Sequence, residues 1–168
     1  QALMICGYEN DMRRLMEPLF KFTRKGLELH QASIKINNLC QYYWQTRDKS
    51  VIEEFADLWK KEIRLLDICR TGSNGLYPPE QYCGDIHTFV QSINVNSNGW
   101  RAMRDMGAVL SQVGYDEEGD YYTEEARTFR RTVLDAIKRS VSYETYPPFV
   151  PISLSGGEPV HDPILHSR

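Results

Sequence analysis

Carboxylates, aromatic rings and amides crowd into three stretches of this chain. Residues 24–31 carry Glu28 and His30; residues 71–101 carry Tyr77, Glu80, Tyr82, Asp85, His87, Asn94, Asn96, Asn98 and Trp100; residues 143–168 carry Glu158, His161 and Asp162. That mixture suits the reading of a sugar, because ring faces pack on apolar surface while amides and acids hydrogen-bond hydroxyls. It also contains what cleaving one requires. Glycoside hydrolysis uses one carboxylic acid to protonate the leaving oxygen and a second carboxylate as base or nucleophile, about 6.5–9.5 Å apart for inversion and about 5–5.5 Å for retention. Glu28 and Asp85 are the expected catalytic carboxylates. His30, His87 and Asn98 are the expected hydrogen-bonding partners of a substrate, and Tyr77, Tyr82 and Trp100 its expected walls. Each has a plainer use as well. Asp85 after Gly84 suits a turn, Glu28 the start of a helix, Trp100 a core, and the histidines local structural hydrogen bonds.

Other chemistries lack their motifs. There is no G-x-S-x-G elbow, no phosphate loop of the G-x-x-x-x-G-K-S/T type, no G-x-G-x-x-G and no H-E-x-x-H. His161, Asp162 and His166 are of metal-ligating type but sit in a Pro/Gly-rich tail, so neither a metal nor a cofactor is expected.

The elements that position these residues follow from periodicity. Apolar residues recur every three to four positions from Glu9 to Ser140, which predicts an all-α fold. A first helix is expected over 9–23 with Pro18 as a kink, a second over 29–46, and a third from Asp48 or Ser50 to Arg70. A fourth is expected over 98–113 and a fifth over 117–140. Tight turns near Arg47 and at Gly114-Tyr115-Asp116 make two antiparallel hairpins. Between and after them lie long segments without helical period, 71–97 and the Pro/Gly-rich 141–168.

The third and fifth helices open acidic and close basic, in the order that complements the macrodipole, and read as outer helices. Asp48 and Asp116 each open an outer helix, so the unit is inner helix, short turn, outer helix, long loop. Its spacing matches twice a tetratricopeptide period, but the connections and signature residues of that repeat are absent. Because every outer-to-inner connection is long, the long loops gather at one end of the array, where ligands are commonly held.

The chain has 168 residues, 41% hydrophobic and 26% charged, with a formal net charge of −3, which fits one folded region with its own core. That charge gives no basic field for a nucleic acid, and no run of about 18 apolar residues spans a bilayer. Neither partner is expected. Cys6, Cys40, Cys69 and Cys83 lack the close pairing of a zinc site and are expected as free thiols.

The pattern G-L-E-L-H from Gly26, Y-Y-W-Q-T-R-D from Tyr42, the Trp59 helix, G-L-Y-P-P from Gly75 and G-D at Gly84 resembles the six-hairpin glycosidase superfamily. N-S-N-G-W-R-A-M from Asn96 leads into a similar hairpin. The resemblance covers residues 26–140. It implies an (α/α)6 toroid, a carbohydrate substrate hydrolysed without cofactor, and a secreted or periplasmic location. Such a toroid has twelve helices, so this chain, which starts at Gln1 directly into apolar residues, is expected to be a fragment whose partner is the remainder of its own toroid. The competing expectation is a non-enzymatic helical-repeat module that binds a protein or glycan. An enzyme needs two acids converging across a cleft, whereas a binding module needs only an aromatic and amide surface.

Overall fold

A computed structural model describes residues 2–70, 74–82, 88–144 and 146–154. Among them the fold is all-α apart from two short strands. After a single turn, α1 (Ala2–Ile5), helix α2 (Glu9–Lys21) buries Met12, Met16 and Phe20 on one stripe. It runs through Pro18 to Lys21, and Phe22 N–H then donates to the Pro18 carbonyl. Helix α3 (Glu28–Thr46) buries Ala32, Ile36, Leu39, Cys40 and Tyr43, the stripe that periodicity predicts. It ends at Arg47, which adopts the left-handed conformation at φ 58° and donates its N–H to Tyr43 O at 2.7 Å.

The expected single third helix is two, α4 (Ser50–Glu54) and α5 (Ala56–Ile68). The break falls at Phe55, whose backbone leaves helical geometry at φ −100° and ψ 20° while its ring is buried. Trp59 stabilises the break: its indole N–H donates to Ile52 O at 2.8 Å, a carbonyl at the end of α4. Strands β1 (Glu80–Gln81) and β2 (Phe89–Val90) pair antiparallel within the long connection. Helix α6 (Ile93–Val113) begins earlier than its apolar period because Ser92 caps it, its Oγ accepting from Val95 N at 3.2 Å. Gly114, at φ 95°, turns the chain into α7 (Asp116–Ser140).

α3 and α6 pack side by side, α5 backs α3, and α7 backs α6. The two central helices run in the same direction. Near their C-termini Arg47 Nη1 donates to Gln112 Oε1 at 2.9 Å, and their N-termini meet the same loop segments. Met103, Met106, Val109 and Leu110 of α6 join the α3 stripe in one core with Trp59, Ile63 and Phe129. Inside it, Lys35 Nζ meets Glu62 Oε1 at 2.7 Å and Thr23 Oγ1 at 3.1 Å. Only 2% of Lys35 and 8% of Glu62 is exposed, so α5 is tied to α3 by a buried ion pair. Cys40 is buried against Met106, and Cys6 and Cys69 are free as expected; Cys83 lies outside the described residues.

α6 and α7 approach backbone to backbone. A Cβ on Gly107 would lie 2.9 Å from Thr123 N and 3.0 Å from Gly119 O, atoms that cannot rotate away. Gly107→Ala is therefore expected to destabilise by about 1–3 kcal/mol despite the better helix propensity of alanine, read as a lower denaturation midpoint at unchanged slope.

Candidate functional site at the loop end

Helix α3 starts without help from its neighbours in sequence. Its N-cap is Leu27, which has no side-chain acceptor, so the first N–H groups need a partner from elsewhere. Glu80 supplies it from 51 residues away: Oε1 accepts from Leu29 N at 2.6 Å and Oε2 from His30 N at 3.0 Å. Next to this clamp, Gln81 N donates to Gly26 O at 3.0 Å, close packing that leaves little room for a Cβ at Gly26.

The start of α6 is held in a similar way by two other segments. Tyr77 N donates to Asn96 Oδ1 at 2.9 Å, and Gln91 Nε2 to Tyr77 O at 2.7 Å. Ile93 N donates to Ile152 O at 3.0 Å and Leu154 N to Gln91 O at 2.9 Å, around a bridge between Ser92 and Ser153. Described parts of all three long segments thus meet at the N-terminal ends of α3 and α6, as the alternation of short turns and long loops requires.

Within that end, Glu28 stands exposed in the first turn of α3, and its Oε1 accepts from Gly26 N at 3.0 Å. His30 is half-buried, and burial lowers its pKa, which keeps the ring neutral. Its buried Nδ1 has no hydrogen-bond partner among the described residues. Tyr82 is half-buried and donates its N–H to Thr88 O at 2.9 Å. Asn98 Nδ2 donates to Asn94 Oδ1 at 2.7 Å, and Asn98 lines a cleft between α3 and α6. Trp100 is half-buried against the core with the Arg104 guanidinium 4.9 Å above its ring.

Tyr77 requires correction. It is fully buried, packed edge to face on Phe129 at 5.1 Å and against the Gly99 backbone, so its ring belongs to the core and is no wall of an open site. Pro78 and Pro79, which follow it, are exposed and lead directly into β1. Asp85, His87, Glu158, His161, Asp162 and His166 lie outside the described residues.

Glu80 was legible only as one acid among several in the long segment, because nothing in the local sequence links it to Leu29. Burial of the carboxyl pushes its pKa up to about 7, a push that Glu28 reinforces and the two backbone N–H groups oppose. With 5% exposure and both oxygens engaged, Glu80 holds the start of α3, while the Glu28 carboxylate beside it is exposed. The folded chain binds the Glu80 proton more tightly than the unfolded chain. Glu80 therefore favours folding most below the ordinary value of 4.5, and that contribution is lost as pH rises through about 7. The difference in Tm between the natural chain and Glu80→Gln is expected to move against the natural chain between pH 5 and pH 8, and thermal melts of both across that range check it.

Among the described residues no group of three His, Cys, Asp or Glu side chains is placed to hold a metal ion, and no helix is long and apolar enough to cross a membrane. The chain matches no family model, no curated protein and no solved structure.

Proposed function

We propose that this chain forms part of a carbohydrate-active helical toroid whose loop end takes a glycan for hydrolysis, with Glu28 and Asp85 as the carboxylates. One observation carries the reading: described parts of three long segments converge on the N-terminal ends of two parallel central helices, each backed by an outer helix. A toroid of the proposed kind is built by repeating inner and outer helices joined in this order. Loops held on a rigid helical scaffold are where ligand chemistry concentrates. His30 and Tyr82 flank the site, and Glu80 keeps the first turn of α3 in register beneath Glu28. The remaining hairpins of the toroid are the partner of this one, and the reaction calls on no cofactor.

A second reading, recognition of a glycan without turnover, is favoured by the commitment of both Glu80 oxygens to backbone N–H groups. That leaves Glu28 as the acid facing solvent among those at the start of α3.

The test is a screen of the full-length gene product against aryl glycosides and polysaccharides, with release of reducing ends as readout and glycan binding measured in parallel. Release supports hydrolysis. Binding without release selects the second reading, and the absence of both overturns the carbohydrate assignment.

A further inference from the structure

Below the loop end, a cleft of about 310 Å³ opens between α3 and α6, lined by Ile34, Asn37, Asn38, Asn98 and Arg101. Its polar groups are not used up by the fold. Asn37 is 91% buried, with 9% of its surface exposed, yet its Oδ1 is buried without a hydrogen-bond partner among the described residues. An unpaired buried acceptor destabilises the fold, a deficit that a ligand bearing a donor removes.

Charge decides what else the cleft accepts. Arg101 Nε bonds Asp105 Oδ2 at 3.2 Å, which leaves both of its Nη groups for other partners, and the side chain is 42% exposed. Arg104 also pairs with Asp105, so two guanidinium groups share one carboxylate that is 2% exposed. One positive charge is left over. Among the described residues no acid lines the cleft, so a cation is repelled there, although amide oxygens alone would suit one. The donors that satisfy the amides are then neutral ones, which the hydroxyls of a sugar supply, and an anion belongs at Arg101, whose planar fork matches a carboxylate.

We propose that this cleft binds a polyol carrying a carboxylate, an acidic sugar, with its hydroxyls on the α3 amides and its carboxylate on Arg101. The proposal deepens the carbohydrate reading and rests on it for the polyol part. Titration of the chain with D-glucuronate, D-glucose and acetate, followed by calorimetry and amide NMR, tests it. Glucuronate is expected to bind at least about tenfold tighter than either of the others, since a charge-assisted bond and the hydroxyl bonds act together. Arg101→Gln should remove that preference. Because Arg101 also neutralises Asp105, Ile34→Trp serves as the second variant: it fills the cleft, leaves the ion pair intact and should abolish binding.

Equal affinity for glucuronate and glucose, no detectable glucuronate binding, or binding unchanged by Ile34→Trp overturns the proposal. Hydrolysis of neutral glycans with no glucuronate binding removes this inference and leaves the carbohydrate reading standing. Glucuronate binding with a blank glycosidase screen does the reverse for hydrolysis.

Discussion

On a glycoside that the full-length protein cleaves, Glu28→Gln is expected to lower kcat about 10²- to 10⁴-fold, the contribution of a positioned general acid or base. Glutamine keeps an oxygen where Glu28 Oε1 accepts from Gly26 N, so the turn before α3 survives the change. The lost charge at a helix N-terminus costs only about 0.3–1 kcal/mol. Turnover should therefore collapse while the melting temperature moves by a few degrees at most. Affinity for an intact glycan, measured on the same variant, should change little. A Glu28→Gln protein with normal turnover would remove Glu28 from catalysis and transfer the chemistry to acids elsewhere on the loop end.

Lys35→Met is expected to destabilise the fold by about 3–5 kcal/mol, because it strands a buried carboxylate. Glu62 would keep 8% exposure and lose its partner at 2.7 Å, and Thr23 Oγ1 would lose a second contact. Against a total stability of about 5–15 kcal/mol that loss is severe, and urea denaturation would register it. Replacing both partners by apolar residues of similar volume should recover most of the loss, since the desolvation cost of the two charges disappears together. A single variant as stable as the natural chain would mean that Glu62 finds water or takes up a proton cheaply.

The helical architecture was legible because its signals are local. The stripe Ala32, Ile36, Leu39, Cys40 and Tyr43 and the acidic start and basic end of α7 locate their helices, and the structure keeps them. The break at Phe55 was not legible, because Ile52, Phe55 and Trp59 continue one apolar period; the indole bond to Ile52 O that stabilises it has no signature in residue type. Ser92, a good cap residue, could have moved the start of α6 to Ile93, but three asparagines and a serine before Gly99 weigh against a helix there. The loop end was legible as a place and not as a set of contacts. Tyr77 looks like a stacking residue among prolines, and only the bare backbone at Gly99 shows that its ring goes inward. The pairing of Glu80 with the start of α3 and the amide row of the cleft depend on tertiary contacts. A signal for the latter did exist: Asn37 and Asn38 stand beside the apolar stripe on a central helix, and an amide as buried as Asn37 is costly unless it finds a partner.

The clamp that Glu80 makes on α3 also bears on the order in which the chain acquires its structure. Helix α3 and its hairpin partner can form early from neighbouring residues, but the first turn of α3 stays unfinished until a segment 51 positions downstream arrives. A nascent chain emerging from a ribosome would therefore carry its first hairpin with a frayed end. The polar end of the molecule is assembled late, in the same step that joins the first hairpin to the second.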